Sequence, residues 1–133
     1  MILIKERIGK MLEYLQAQVY PKQVAIPSYK MIRTEERCLD VKNLDTSSWK
    51  EITNQELWGG HREYYWFETV VTIPEEFDGE CVVYELKTGK EGEWDATNPQ
   101  FSIFVNGVRV QGLDVNHREI ILAEPAKAGD TYR

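Results

Sequence analysis

The chain has 133 residues, a length that suits one domain, and a formal net charge of −6 without a concentrated basic patch. Hydrophobic residues make up 42% of the sequence, which is enough for a packed core and too much for a disordered chain. We therefore expect no nucleic-acid partner, and we expect no membrane partner because no apolar run approaches the ~18 residues of a bilayer span.

Residues 1–21 predict an amphipathic helix that ends at Pro21. Apolar residues recur there at helical spacing: Ile4, Ile8, Met11 or Leu12, Leu15 and Val19. The other side carries charges of both signs: Lys5, Glu6, Lys10 and Glu13. Because a membrane-surface helix has a polar face rich in Lys and Arg, we expect the apolar stripe to pack on a neighbouring domain or sheet.

The N-terminal residues and the cysteines predict a cytoplasmic protein. Charges interrupt the apolar residues at the N-terminus, which lacks the long apolar region and small-residue cleavage site of a signal peptide. Cys38 and Cys81 lie in apolar or strand-like surroundings, and we expect both to be reduced and partly buried.

Residues 22–133 predict an antiparallel β-sandwich. Strand-like runs separated by turn residues occupy 24–32, 37–41, 64–73, 81–87, 101–112, 118–122 and 131–133. A spacing of roughly ten residues, without a βαβ rhythm, is typical of a sandwich. The last run is cut off as it begins, so we expect its unpaired edge to bind another copy or its last residues to be poorly ordered.

The clearest single element is a β-hairpin around Asn106-Gly107, because a type I′ turn needs φ > 0 at both central positions. A two-residue turn pairs Val105 with Val108, Ile103 with Val110 and Phe101 with Gly112. The four aliphatic residues of these pairs would then share one buried face.

The search for catalytic chemistry finds no hydrolase elbow, phosphate loop, dinucleotide fingerprint or Cys-x-x-Cys. Asp114, Asn116 and His117 have the side chains of a metal site, but these residues alternate between two faces in a strand connection. We expect instead a turn in which Asp114 and Asn116 satisfy backbone groups and His117 makes a structural hydrogen bond. Glu91, Glu93 and Asp95 line a polar loop, and nothing fixes the separation that a pair of glycosidase carboxylates requires. We expect no catalytic, cofactor or metal site in this chain.

The four tryptophans leave two interpretations open. Trp49, Trp58, Trp66 and Trp94 could form a platform for sugar rings, or most of them could belong to the core. Trp94 lies in the polar loop, where it is costly to leave in water, so that loop could also contact another domain.

Seven motifs, in this order, carry a resemblance to a known family: Trp58-Gly59-Gly60, Tyr65-Trp66-Phe67, Ile73-Pro74, Leu86-x-Thr88-Gly89, 94–101 (WDATNPQF), Val105-Asn106-Gly107 and 111–119 (QGLDVNHRE). They resemble the N-terminal region of the α-mannosidases of glycoside hydrolase family 38, in the cytosolic and bacterial branch. The resemblance runs from about residue 1 to the end of the chain and is densest over 58–122.

The resemblance implies a helix followed by a β-sandwich of the galactose-binding-like or jelly-roll type, which is a non-catalytic accessory domain of a retaining α-mannosidase. The parent enzyme would hold a divalent metal, usually zinc, in a separate catalytic domain through His and Asp residues. This chain has no His-x-Asp pair, since Arg-Glu follows both His61 and His117. Catalytic residues therefore cannot be assigned to any of its positions.

The expected partners are the catalytic domain of the parent and its oligosaccharide substrate. Seven residues are the candidates for contact with that domain or with carbohydrate: Trp94, Asp95, Asn98, Asp114, Asn116, His117 and Arg118. Two alternatives stay open. One is a carbohydrate-binding module, and the other is a structural or homo-oligomerisation domain of another glycosidase in which the N-terminal helix makes the contact.

Overall fold

The structure is a computed structural model that describes residues 2–36, 39–92 and 98–133. Within these ranges, one helix precedes nine strands: α1 Ile2–Val19, β1 Ser28–Thr34, β2 Lys50–Thr53, β3 Tyr64–Glu68, β4 Val71–Thr72, β5 Val82–Glu85, β6 Phe101–Val105, β7 Val108–Leu113, β8 Glu119–Ala123 and β9 Thr131–Tyr132. The strands form a three-stranded sheet in the order β2-β1-β3 and the pairs β4-β9, β5-β8 and β6-β7, all antiparallel. The prediction of a mainly antiparallel β protein with an N-terminal helix is confirmed.

Helix α1 forms where the periodicity predicts it and ends just before Pro21, but its apolar side lies in solvent. We call Ile4, Ile8, Met11, Leu12, Leu15 and Val19 the α1 stripe, and each of these side chains is more than half exposed. Packing of the stripe on the chain's own sheets is therefore excluded for the described residues. No helix in the described ranges is long and apolar enough to cross a bilayer.

The segment after α1 is tied to the β-sheets by two side chains. The Tyr20 hydroxyl donates to the Glu119 carboxylate at the start of β8. The Lys22 ammonium donates to the Glu76 carbonyl oxygen over 2.8 Å. These bonds place the end of α1 beside β8 and the 75–77 turn.

Residues 24–57 differ most from the predicted strands. β1 begins after Pro27 and is the central strand of its sheet. Pro27 is compatible with this central position because a proline that precedes a strand removes no hydrogen bond between strands. Val41–Asn43 forms a 3₁₀ turn in which the Lys42 amide donates a hydrogen bond to the Asp40 side chain. The predicted strand over 37–41 is therefore wrong at its C-terminal end. Arg37 and Cys38 lie outside the described residues.

Strand β2 had no clear sequence signal of its own. Ile52 within it is 5% exposed and anchors the strand on the core, and Trp49 just before it is half-buried. A four-residue strand of this kind depends on its pairing with β1 rather than on local propensity.

The run 64–73 is two strands rather than one. β3 pairs with β1, whereas β4 pairs with β9, so the chain changes partners at Thr69-Val70. Local alternation continues through this break, which explains why the pattern predicts a single strand.

The C-terminal residues are held in place, so the expectation that they are poorly ordered is wrong. Thr131–Tyr132 pairs with β4. The Arg133 backbone amide donates to Asn106 Oδ1 over 3.0 Å. The Arg133 guanidinium donates to Glu68 Oε1 over 3.1 Å and to the Leu44 carbonyl oxygen over 2.8 Å. Pairing of an edge with another copy stays a prediction.

The β6–β7 hairpin is confirmed, but its predicted register is wrong beyond the turn. At the turn, Val105 pairs with Val108, and both Asn106 and Gly107 have positive φ. Further along, Ile103 pairs with Gln111 instead of Val110, because Val110 is an extra residue that forms a β-bulge. The bulge removes Val110 from its predicted pairing, whereas Val108 keeps its predicted partner. Val108 and Val110 are 60% and 48% exposed, so the predicted four-residue buried face does not form.

The core is small, and most of it lies among the later strands. Within the described ranges, its buried apolar residues are Ile52, Ile73, Val82, Leu113, Val115, Ile120 and Ala126. One cluster joins Ile73, Val82 and Ala126, with the half-buried Phe77 and Tyr132 packed against it. The expectation that Cys81 is partly buried is wrong, because this free cysteine is exposed at the end of the turn before β5.

A tyrosine pair links the three-stranded sheet to the β5-β8 pair. The hydroxyls of Tyr29 in β1 and Tyr84 in β5 lie 3.1 Å apart. Burial raises the pKa of Tyr84, and the adjacent Tyr29 raises it further, so both phenols stay protonated and hydrogen-bonded. The pair is therefore a structural contact between β1 and β5.

Candidate functional site

The turn between β7 and β8 brings three of the predicted site residues together. Asp114 Oδ1 accepts hydrogen bonds from the Asn116 amide at 2.8 Å and the His117 amide at 2.7 Å. His117 Nδ1 lies 3.2 Å from the same oxygen, and the Asp114 amide donates to the His117 carbonyl oxygen over 3.0 Å. The carboxylate thus holds the turn closed by satisfying backbone donors, as the turn interpretation predicts.

These hydrogen bonds decide the charge state of Asp114. The His117 amide, followed by the Asn116 amide and the His117 ring, lowers the pKa of this carboxyl below its usual range. A carboxyl group that is ionised at neutral pH cannot act as a general acid there. Asp114 is therefore suited to accept hydrogen bonds, from the turn and from a ligand.

A shallow cavity of about 240 Å³ opens beside this turn. It is lined by Gln100, Phe101, Gly112, Leu113, Asp114 and His117. Phe101 at the start of β6 pairs with Leu113 at the end of β7, so the base of the hairpin forms one wall. The sequence motif indicates Asp114 and His117 as site residues but not the other four, and the bulged register brings Leu113 opposite Phe101.

An aromatic cluster packs on Phe101, which is also one of the cavity residues. The Trp58 ring lies 5.9 Å from Phe101 and 4.7 Å from Phe67, both edge-on. Trp49, Trp58 and Trp66 are all half-buried, and Trp66 packs 5.7 Å from Phe104. Contacts between rings therefore explain Trp58 and Trp66, while Trp94 lies outside the described residues.

The remaining candidates are dispersed. Asn98 is half-buried before β6, and the Arg118 carbonyl oxygen accepts a 2.8 Å hydrogen bond from the Leu86 amide, which joins β8 to the end of β5. Asp95, like Trp94 and Glu93, lies outside the described residues.

Glu91 closes the beginning of its loop in the same way that Asp114 closes its turn. Glu91 Oε1 accepts hydrogen bonds from the Thr88 amide at 2.6 Å and the Gly89 amide at 3.3 Å. Desolvation opposes its ionisation, but backbone hydrogen bonds and the charge of Arg118 outweigh it and lower the pKa of Glu91. This carboxylate is thus bound to its own loop rather than available as a catalytic partner.

Metal ligation has no support among the described residues, which contain no group of three or more His, Cys, Asp or Glu side chains placed to hold an ion. Asp114 and His117 supply two such side chains. A metal ion in a structural site usually has four ligands.

Removal of the Asp114 carboxylate should weaken the turn in a pH-dependent way. Because the folded-state pKa of Asp114 is lowered, its ionised form adds stability above the unfolded-state pKa of about 3.9, and that stability is lost as pH falls through the folded-state pKa. We expect Asp114→Ala to lower the melting temperature at pH 7. We expect Asp114→Asn, which keeps an acceptor oxygen, to lower it less.

Thermal unfolding followed by circular dichroism from pH 7 to pH 3 checks this prediction. The difference between the wild type and Asp114→Asn should shrink as the pH falls. Asp130→Ala is the control, because the Asp130 side chain makes no hydrogen bond or ion pair within the described residues. A melting temperature of Asp114→Ala equal to that of the wild type at pH 7 would contradict the turn role.

Comparisons with known proteins leave the function to be argued from these residues and their geometry. No protein family model, no curated protein and no solved structure matches this chain.

Proposed function

We propose that this chain is the non-catalytic N-terminal domain of a cytoplasmic α-mannosidase of glycoside hydrolase family 38. In this proposal its sheets form a β-sandwich of the jelly-roll, galactose-binding-like type, and the domain packs on a metal-dependent catalytic domain. The parent enzyme hydrolyses terminal α-mannosyl residues of oligosaccharides with retention of configuration, and its zinc lies in the catalytic domain. The identity of the parent rests on the sequence motifs between residues 58 and 122.

The observation that carries the docking role is the exposed α1 stripe. Ile4, Met11 and Leu15 are 60%, 63% and 57% exposed, and the rest of the stripe is similar. A continuous apolar stripe on a helix normally faces a core, and a large exposed apolar patch marks an interaction site. The stripe therefore supports a second protein surface that covers α1.

The charges around the stripe indicate the chemistry of that surface. At about 100° per residue, Lys5 and Arg7 flank the stripe on its two sides, whereas Glu6 and Glu13 lie on the far side of α1. A groove with an apolar floor and an acidic rim complements this arrangement. The presence of both acidic residues on the polar face argues against an anionic lipid surface.

The non-catalytic role is supported by the carboxylates of the two candidate segments. Asp114 is bound to its own turn, and Glu91 is bound to its own loop, each through backbone amides. An acid and a base of a glycosidase must face a common substrate across a defined gap. Among the described residues that line the cavity, Asp114 is the one carboxylate, and Glu91 lies outside it.

Hydrogen exchange tests the docking of α1. We expect the α1 amides to exchange at least about 100-fold more slowly in the parent enzyme than in the 133-residue chain, because burial of each Ile or Leu of the stripe is worth about 1.5–3 kcal/mol. Ile8→Ser/Leu15→Ser should abolish this protection. Glu6→Ser/Glu13→Ser, on the opposite side of α1, is the matched control and should preserve it.

Equal exchange of α1 in the parent and in the isolated chain would contradict docking. Protection that instead rises with the concentration of the isolated chain would assign the stripe to a second copy. Light scattering with and without residues 1–20 would verify that assignment.

Turnover of p-nitrophenyl α-D-mannopyranoside tests the enzymatic part of the proposal separately. The parent should hydrolyse this substrate and the 133-residue chain should not. Activity of the isolated chain would contradict the non-catalytic role, and inactivity of the parent would contradict the mannosidase assignment.

A further inference from the structure

Helix α1 extends from the β-sheets into solvent. Within residues 3–19, every residue except Gly9 is exposed, so no face of the helix packs on the sheets. The residues that follow, 20–27, belong to neither a helix nor a strand, and those from 21 to 25 are exposed as well. The direction in which α1 points therefore depends on the contacts that this following segment makes.

Two side chains of the segment bind two separate parts of the β structure. The Tyr20 hydroxyl donates to the Glu119 carboxylate at the start of β8. The Lys22 ammonium donates to the Glu76 carbonyl oxygen over 2.8 Å and lies 3.4 Å from Glu80 Oε1. We call these contacts of Tyr20 and Lys22 the α1 anchor.

The α1 anchor restrains the helix because its two bonds reach different elements. A single hydrogen bond at the end of a helix leaves the helix free to rotate about it, whereas a second bond two residues later restricts that rotation. Gln23 Nε2 donates to the Tyr20 carbonyl oxygen over 3.2 Å, which satisfies an acceptor just after the end of α1. Asn54 Nδ2 donates to the Ile26 carbonyl oxygen over 2.6 Å, so the segment is also held where it enters β1.

Such a restraint favours docking of the α1 stripe. Ordering of a flexible segment opposes binding, and a segment that is already held in its bound conformation avoids part of that entropy loss. Without the α1 anchor, residues 20–25 would let α1 take many orientations. The ion pair between the exposed Lys22 and Glu80 contributes little by itself, so the bonds to Glu119 and to the Glu76 carbonyl oxygen supply most of the restraint.

We infer that Tyr20 and Lys22 are positioning residues, which hold α1 in the orientation in which the α1 stripe meets the catalytic domain. The inference rests on the proposed docking of α1 and adds the contacts that direct it. Both residues act through the orientation of α1, and neither belongs to the stripe.

Residual dipolar couplings of the backbone amides in the 133-residue chain test the α1 anchor itself. In the wild type, the couplings of α1 should fit the same alignment tensor as those of β1, β5 and β8. Tyr20→Phe/Lys22→Met should make the α1 couplings at least about twofold smaller, because reorientation of the helix averages them. Tyr14→Phe deletes an exposed hydroxyl from α1 and is the matched control, which should leave the couplings unchanged. Equal α1 couplings in the wild type and the double variant would overturn the inference.

Hydrogen exchange of α1 in the parent enzyme tests the positioning role. Tyr20→Phe/Lys22→Met should lower the protection of the α1 amides about tenfold, as expected for the loss of exposed hydrogen bonds. Lys22→Arg keeps a charged donor and should preserve most of the protection. Glu119→Leu removes the acceptor instead of the donor, so it should reproduce the effect of Tyr20→Phe, and the two changes together should not add. Additive effects would mean that Tyr20 contacts the partner directly, which contradicts a positioning role.

The two measurements separate failure of this inference from failure of docking. A wild-type parent without protection of α1 contradicts docking and hence positioning, while the couplings still report whether the α1 anchor exists. Equal protection in the wild-type parent and in Tyr20→Phe/Lys22→Met overturns the inference and leaves docking intact. If the double variant does not fold, Glu119→Leu decides the matter, because it breaks the Tyr20 bond from the other side.

Discussion

Replacement of Ile73 by Ala is expected to lower the free energy of unfolding by about 2–5 kcal/mol. Ile73 is 4% exposed and joins Val82 and Ala126 in the cluster on which Phe77 and Tyr132 pack. The truncation removes apolar contacts and leaves a cavity that these neighbours fill only in part. The loss is large relative to the roughly 5–15 kcal/mol that stabilises a typical domain.

The matched control is Ile121→Ala, which deletes the same atoms from a side chain that is 58% exposed in β8. Its effect should stay within about 0.5 kcal/mol, as for most surface substitutions. Urea unfolding monitored by circular dichroism measures both variants. Similar midpoints for the two variants would mean that the cluster around Ile73 does not organise the core.

The elements that sequence predicts well are those specified by adjacent residues. Helix α1 is specified by the helical spacing of its apolar residues and by Pro21, just after its end. The hairpin is specified by Asn106-Gly107, and both residues have positive φ in the structure. The Asp114 turn is likewise local, since its acceptor and donors lie within three residues. Such features need no knowledge of distant neighbours.

The elements that sequence misses depend on distant pairing. β2 is a short strand that exists because β1 lies beside it. The break between β3 and β4 marks a change of partner strand, and alternation of side chains continues through it. No local pattern reports a partner that lies tens of residues away.

The cavity shows how one such error hides a candidate site. A regular hairpin pairs Phe101 with Gly112, whereas the bulge at Val110 pairs Phe101 with Leu113. This shift of one residue moves Leu113 opposite Phe101, and Asp114 follows it at the end of β7. The Asp114–His117 motif indicates two of the lining residues, whereas the position of Leu113 beside Phe101 requires the bulged register.

Replacement of Trp58 by Ala is expected to lower the free energy of unfolding by about 3 kcal/mol, at the lower end of the range for buried aromatic residues because Trp58 is half-buried. Its ring contacts three others, Tyr65 at 5.6 Å, Phe67 at 4.7 Å and Phe101 at 5.9 Å, and each aromatic pair adds about 0.5–1.5 kcal/mol beyond burial. Tyr14→Ala, an aromatic truncation on exposed α1, should change stability by less than about 0.5 kcal/mol.

Urea unfolding monitored by circular dichroism measures both Trp58→Ala and Tyr14→Ala. Trp58→Phe keeps an aromatic ring against Phe101 and should restore most of the lost stability. An unchanged unfolding midpoint for Trp58→Ala would mean that the ring contacts of Trp58 do not stabilise the fold.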